Sequence, residues 1–164
     1  MQKVADDVSK TMNEYAATYK ARLQQEELQV AYKLLVKYVM SLRLHFANVT
    51  KYQVGNVSPG YMDFTYFPFF DAFLRSKKLR FGVVLNHREM RFELWLMGQN
   101  AEVQKDYWNV LKNSKWNRNL SMPKYSVLET VLIDSPNFDN LERLSRTIEK
   151  NTLDLVGQIV PYLK

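Results

Sequence analysis

Two apolar alternations that flank a short polar stretch constrain the fold of this chain more than any other feature. Residues 79–86 read LRFGVVLN and residues 90–97 read MRFELWLM, with His87, Arg88 and Glu89 between them. Side chains that alternate with a period of two are typical of strands that cover a core with one face only. The stretch therefore predicts an antiparallel hairpin that turns at His87-Arg88.

A turn at this position determines which residues face one another across the hairpin. Gly82 is then opposite Glu93, and Val84 is opposite Arg91. A slip by one residue would exchange the two faces of a strand, so the matching alternation of the two halves supports the hairpin. One face is uniformly apolar and is expected to lie on helices; it carries Phe81, Val83, Leu85, Met90, Phe92 and Leu94. The other face is mixed and carries Arg80, Gly82, Val84, Asn86, Glu89, Arg91, Glu93 and Trp95.

The remaining segments complete an α+β pattern. Helices are predicted at Lys3–Leu23, at Gln25–Ala47, at Ala101–Asn113 after an Asn100 N-cap, and from an Asp139–Glu142 capping box onward. Strands are predicted at Tyr61–Phe67 and Val127–Asp134, with a connector or short helix after the first. Strands joined by a hairpin, with helices grouped around them, indicate a mainly antiparallel sheet of about four strands packed on one face by helices. Two N-terminal helices and a long C-terminal helix supply that layer.

Length predicts one domain. A chain of 164 residues has the size of a single domain that buries a core without disulfides. We therefore expect one domain over residues 1–164. Its N-terminal helix, residues 1–24, is the segment that we expect to be attached most loosely.

The mixed face of the hairpin is the candidate site. If the Tyr61–Phe67 strand joins the sheet with Met62, Phe64 and Tyr66 inward, its other parity adds polar residues to this face. An arginine fork, carboxylates and aromatic rings together suit a small polar or aromatic ligand. The alternative is a flat, solvated face with cross-strand charge pairs. The predicted ligand-binding residues are Tyr61, Asp63, Thr65, Asn86, Arg91, Glu93 and Trp95.

Several stretches also resemble a known family. The stretches GYMDFTYFPFF, NHREMRFELWLMGQN, QKDYW and KW are similar to those of short, uncharacterised bacterial proteins that share a domain of unknown function. The resemblance extends from about Tyr19 to Tyr162 and implies a bacterial origin, but it implies no activity. The family pattern corresponds to Tyr61, Asp63, Thr65, Tyr66, Asn86, His87, Arg91, Glu93, Trp95, Gly98, Asn100 and Trp108.

Composition removes several chemistries. The chain has no cysteine and only two histidines, His45 and His87, so thiol catalysis, disulfides and His-rich metal sites are absent. Neither a phosphate-binding glycine loop nor a nucleophile elbow is found. We expect no resident metal or cofactor, and we favour a non-catalytic binding or interaction domain. The alternative is a small enzyme that uses Asp63 or Glu93 with Arg91 or a histidine.

A nuclease is the most specific form of that alternative. The order of elements is that of a restriction-endonuclease-like core, in which acidic residues on adjacent strands hold Mg²⁺ beside a lysine. Asp63 and Glu93 are the available acids. The residue two positions after Glu93 is Trp95 rather than lysine, which argues against this alternative.

Charge and hydropathy bear on partners and location. The net charge is +6, and residues 75–124 hold eleven Lys/Arg against four Asp/Glu. Such a segment attracts anions, yet it is also common on solvated surfaces, so nucleic acid is disfavoured without being ruled out. Residues 1–20 include Asp6, Asp7 and Glu14 and have no apolar signal core, and no apolar run is long enough to span a membrane. We therefore predict a cytoplasmic protein without membrane attachment, whose oligomeric state the sequence does not determine.

Overall fold

The computed structural model describes residues 9–164, which contain a five-stranded antiparallel sheet with the strand order β1-β2-β3-β4-β5. The strands are β1 (Gln53–Val54), β2 (Phe64–Phe70), β3 (Leu79–Asn86), β4 (Arg91–Gly98) and β5 (Leu128–Ile133). The helices are α1 (Met12–Leu23), α2 (Glu27–Val49), α3 (Ala72–Ser76), α4 (Ala101–Leu111) and α5 (Leu141–Ile159), followed by a short 3₁₀ helix at Val160–Leu163. The predicted α+β class is confirmed; the additional strand is β1, a two-residue edge strand.

The chain divides at Leu35 into two compact units. The first includes α1 and the beginning of α2, and the second, Val36–Lys164, contains the whole sheet together with α3, α4 and α5. The single domain over residues 1–164 stays a prediction.

Side-chain caps determine where the helices begin. Thr11 and Glu14 form a capping box, in which the Glu14 amide donates to Thr11 Oγ1 (3.2 Å) and the Thr11 amide donates to Glu14 Oε2 (2.7 Å). Helix α1 begins at Met12, and residues 3–8 of the predicted helix lie outside the described residues. Asn100 caps α4 as predicted. The capping box predicted for α5 is wrong, because Asn140 caps that helix instead of Asp139.

One face of the sheet and the helices on it form the main core. Phe46 of α2 meets Phe67 at 5.3 Å between ring centroids, and Tyr38 meets Phe92 edge-on at 5.9 Å. Helix α5 lies against α2, since the Ser145 and Tyr38 hydroxyls are 3.1 Å apart and His45 Nε2 lies 3.1 Å from Glu149 Oε2. Fully buried members of this core include Phe46, Phe67, Phe69, Phe81, Leu85, Phe92, Leu94, Leu96 and Leu128.

The predicted hairpin is confirmed, but its register is shifted by two residues. Val84 is opposite Glu93 and Gly82 is opposite Trp95, so the pairs predicted from a turn at His87-Arg88 are wrong. The turn spans residues 87–90, and Met90 adopts a left-handed conformation (φ 47°) at the surface instead of joining the apolar face. Because a shift of two residues leaves every side chain on its own face, the residues that form β3 and β4 lie on the predicted faces, whereas Glu89 lies in the turn.

The predicted parity of the second strand is wrong. It begins at Phe64 and continues to Phe70, and the buried positions are Thr65, Phe67 and Phe69. Thr65 is paired with Leu85 on the helix-covered face, whereas Phe64 and Tyr66 lie on the other face. The predicted strand ended at Phe67 and so omitted Phe69, whose ring stacks on Phe81 at 5.6 Å and favours the observed parity.

Candidate functional site

The second face of the sheet, opposite the main core, carries its own apolar cluster. Val84, Trp95 and Met97 are buried there, and Phe64 and Tyr66 pack against them. The Trp95 indole meets the Phe64 ring edge-on at 4.8 Å. Gly82 makes room for Met97, because a Cβ at this position would lie 2.7 Å from the Met97 methyl group. The middle of the second face is therefore covered, whereas Arg80 and Val131 on the same face are exposed.

Glu93 lies at the centre of a hydrogen-bond network next to this cluster. Its side chain is only 4% exposed. Oε2 accepts from Asn86 Nδ2 and from Arg91 Nε, both at 3.2 Å, and Oε1 accepts from Trp95 Nε1 at 3.3 Å. Four of the seven predicted site residues thus form one cluster, and the carboxylate fixes the orientation of the indole.

Arg91 interacts with more than one carboxylate on this part of the second face. Besides Glu93, its Nη1 lies 3.7 Å from Asp134 Oδ1. The positive charge of Arg91 also acts on the carboxylate of Glu129, which lies on the same face in strand β5. Partial burial raises the pKa of the Glu129 carboxyl, and the negative charge of Glu93 raises it further. The Ser126 hydroxyl, which donates to Glu129 at 2.8 Å, lowers this pKa, and so does the positive charge of Arg91. One arginine therefore offsets the charge of several carboxylates.

Tyr61 and Asp63 lie in a tight turn ahead of β2. Asp63 Oδ1 accepts from the amides of Tyr61 (2.8 Å) and Phe64 (2.7 Å). These two bonds hold the pKa of the exposed Asp63 carboxyl below its usual range. Gly60 permits the turn, since its φ is 69° and an added Cβ would lie 2.2 Å from the Phe64 carbonyl oxygen. Tyr61 is 95% exposed, so its ring is almost fully open to solvent.

Thr65 ties this turn to the β3–β4 turn. Its hydroxyl donates to the Pro59 carbonyl (2.7 Å), and the same oxygen lies 2.7 Å from His87 Nε2. Because the hydroxyl has one proton, His87 Nε2 must be the donor in this chain of bonds. A main-chain hydrogen bond also joins the two turns, since the His87 amide donates to the Asp63 carbonyl at 2.9 Å. His87 was predicted as a turn residue, and its link to Thr65 was not foreseen.

Stability is expected to decrease in mild acid because of His87. Partial burial lowers the pKa of this histidine below its ordinary 6.5, and the nearby Asp63 opposes the shift. The unfolded chain then binds the proton more tightly, so stability falls as pH drops below 6.5 toward the folded pKa. The decrease from one group is limited to about 1.4 kcal/mol per pH unit. Urea unfolding between pH 7.5 and 5 should show this decrease in the wild type and a smaller one in His87→Gln; equal slopes would assign the decrease to other groups.

A cavity of about 300 Å³, here called the aromatic cavity, opens between the 58–63 loop and the second face. Trp95, Tyr61 and Asp63 of the predicted site line it, whereas Asn86, Arg91 and Glu93 form the supporting network and Thr65 lies on the other face. Sequence reasoning did not include the other lining residues, which are Ser58, Gly60, Phe64, Tyr66, Arg80, Met97, Gly98 and Tyr125.

Arg80 is the most informative of these additions. It belongs to the mixed face of the hairpin, and that position was the signal by which the sequence could have identified it. Its side chain is exposed at the cavity, and no carboxylate within residues 9–164 forms an ion pair with it. An unpaired guanidinium beside aromatic walls is suited to an anionic or aromatic molecule.

A different cavity, of about 400 Å³, lies where β5 ends and α5 begins. Its lining consists of Ile133, Ser135, Asn137, Asn140, Arg143, Leu144 and Thr147, and it shares no residue with the predicted site. It contains no aromatic side chain, so the aromatic cavity is the better candidate for recognising a small molecule.

The described carboxylates do not gather into a group that could supply three ligands to a metal ion. Within residues 9–164, no group of three or more His, Asp or Glu side chains is placed to hold a metal ion. Asp63 precedes β2 and Glu93 lies on β4, with β3 between these strands, so the two acids do not occupy adjacent strands as the nuclease alternative requires. No helix in this part of the chain is long and apolar enough to cross a membrane.

Fold and site define an antiparallel α+β protein with an aromatic cavity supported by a buried Glu93 network. The family model described as "Domain of unknown function (DUF7000)" matches residues 12–163. The chain therefore belongs to this family, as the sequence motifs indicated. No curated protein and no solved structure matches the chain.

Proposed function

We propose that this protein is a cytoplasmic, non-catalytic domain that binds a small polar or aromatic molecule in the aromatic cavity. The observation that carries the proposal is the combination of aromatic walls with an arginine that has no ion-pair partner within residues 9–164. The half-buried rings of Phe64 and Tyr66 offer flat apolar contact over the buried Trp95, and Arg80 offers a fork of donors. The absence of cysteine is consistent with a reducing compartment.

The hydrogen bonds of the two candidate acids support binding over catalysis. Both oxygens of Glu93 accept hydrogen bonds from neighbouring side chains, and Asp63 Oδ1 accepts from two amides of its own turn. A general acid needs a proton to donate, whereas these bonds stabilise the ionised form of Asp63. In this proposal Glu93 and Asp63 are positioning residues: the first orients Trp95, and the second shapes the loop that closes the cavity.

The geometry also explains how the network would serve binding. Trp95 is held on the polar side by Glu93 and on the apolar side by Phe64. Phe64 and Tyr66 pack against this fixed ring, so the cavity wall loses little side-chain entropy when a ligand packs on it. The cavity is therefore largely preformed, as is usual for small-molecule sites.

A thermal-shift screen of aromatic and anionic metabolites tests the proposal. A ligand present at 100 times its Kd stabilises the folded state by about 2.7 kcal/mol, which corresponds to a rise in Tm of roughly 5–10 °C for a protein of this size. Arg80→Ala is expected to weaken binding by about tenfold or more through loss of a charge-assisted contact.

Lys105→Ala is the matched control, because Lys105 is an exposed cation on α4 that lines neither the aromatic cavity nor the surface near Arg80. This variant should retain wild-type affinity. The proposal is wrong if no compound stabilises the wild type, or if the compounds that do so bind Arg80→Ala and Lys105→Ala equally well.

A further inference from the structure

A small basic depression adjoins the aromatic cavity where α3 ends and β3 begins. This basic notch has a volume of about 170 Å³ and is lined by Phe70, Arg75, Lys78, Leu79, Arg80 and Gln99. Three of its six residues are cationic and none is acidic. A depression of this size accommodates a compact anionic group rather than a whole metabolite.

The notch holds its positive charge without a compensating carboxylate. Among the described residues, none of the three cations takes part in an ion pair. The Arg75 guanidinium lies over the Phe70 ring at 5.1 Å, which holds it in place. Lys78 adopts a left-handed conformation (φ 57°), and its carbonyl accepts from the Gln99 amide at 2.9 Å. All three cations are exposed on one depression, and a bound anion would offset their like charges.

The notch and the aromatic cavity share one lining residue, Arg80. The pairing of β3 with β4 places the two linings side by side: Leu79 of the notch is opposite Gly98 of the cavity, and Gln99 of the notch follows Gly98 directly. A single ligand can therefore extend from the aromatic walls, past the Arg80 guanidinium, to Arg75 and Lys78.

We propose that the ligand of this protein is a planar aromatic group that carries a phosphate, with the ring in the aromatic cavity and the phosphate in the basic notch. This inference rests on the proposed function. A phosphate monoester has a charge near −2 at neutral pH and three acceptor oxygens, which matches two arginine forks and a lysine better than a carboxylate does. Mononucleotides and other aromatic phosphates share this chemistry.

The experiment compares aromatic phosphates with their dephosphorylated forms by isothermal titration calorimetry. The pairs are AMP with adenosine, GMP with guanosine, UMP with uridine, pyridoxal phosphate with pyridoxal, and phenyl phosphate with phenol. At least one phosphate is expected to bind ten times more tightly than its partner, and to bind more weakly as salt concentration rises.

The double variant Arg75→Ala/Lys78→Ala separates the two halves of the ligand. Because Arg80 remains, it should weaken binding of the phosphorylated compound toward that of its dephosphorylated form, and it should leave the affinity for the dephosphorylated form unchanged. Lys105→Ala/Lys112→Ala is the matched control, because it removes one cation within α4 and one at the C-terminal cap of that helix. This variant should bind both compounds with wild-type affinity.

The outcomes distinguish this inference from the proposed function. If dephosphorylated compounds bind the wild type as tightly as the phosphates, or if the double variant keeps the wild-type affinity for the phosphates, the phosphate assignment is overturned and the aromatic site stands. If inorganic phosphate binds the notch and no aromatic compound binds anywhere, both are overturned. Submicromolar affinity for an oligonucleotide at physiological salt, lost in the double variant, would also overturn both and favour nucleic acid.

Discussion

Replacing Phe92 with alanine is expected to lower the free energy of unfolding by about 3–5 kcal/mol. The side chain is fully buried on β4, the strand between β3 and β5. Its ring contacts Tyr38 edge-on at 5.9 Å and Phe138 at 6.3 Å, so it joins the sheet, α2 and the segment before α5. Truncation leaves a cavity among rigid neighbours that cannot close around it.

Urea unfolding measures this change, with Phe92→Leu and Leu120→Ala as companions. Phe92→Leu keeps most of the volume and should cost less than about 1.5 kcal/mol. Leu120 is 62% exposed, so Leu120→Ala should change stability by no more than about 0.5 kcal/mol. A Phe92→Ala loss as small as that of Leu120→Ala would contradict the position of Phe92 in the core.

The two faces of the hairpin could be predicted from sequence because they depend only on parity. The register could not, because it depends on the length of the turn. Nothing in the alternation distinguishes a two-residue turn from the four-residue turn at 87–90, in which Met90 adopts a positive φ. An error of two residues is invisible to a period of two, so the assignment of Glu93 and Trp95 to one face was correct despite the wrong partners.

The second strand shows how parity itself can mislead. Both parities of YMDFTYFPFF carry large apolar residues, and local pattern alone does not decide between them. The choice depends on contacts distant in sequence, namely those of Phe67 with Phe46 and of Phe69 with Phe81. The same limit explains the omission of Tyr125 from the predicted site, since it comes from a loop 27 residues beyond Gly98, the last residue of the hairpin.

The burial of Glu93 is the largest difference between the predicted and the observed site. The sequence suggested a carboxylate that either pairs across water or lines a pocket. In the structure the Glu93 carboxylate lies next to the apolar cluster of the second face and accepts hydrogen bonds from three donors. It supports the site without lining the cavity. Buried charges need such partners, so the types of its neighbours, an arginine, an asparagine and a tryptophan, were the signal for this arrangement.

Arg91→Ala is therefore expected to destabilise the protein by about 2–4 kcal/mol. Removing one partner of a buried ion pair leaves the other charge uncompensated, at a typical cost of 3–5 kcal/mol. Arg91 is 31% exposed, so solvent screening weakens its interaction with Glu93. The expected loss of stability is therefore lower than that typical cost. The loss is larger than for an ordinary surface arginine because the same guanidinium also offsets the charges of Asp134 and Glu129.

A double-mutant cycle with Glu93→Gln measures the coupling directly. Once Glu93 is neutral, the loss of Arg91 leaves no buried charge, so Arg91→Ala should cost at least about 1 kcal/mol less in the Glu93→Gln background than in the wild type. Arg146→Ala is the matched control: its pair with Glu142 is 3.5 Å long and both side chains are mostly exposed, so it should cost no more than about 0.5 kcal/mol. If Arg91→Ala costs no more than Arg146→Ala and the cycle shows no coupling, Glu93 is solvated rather than held by the network, and the support proposed for Trp95 is lost with it.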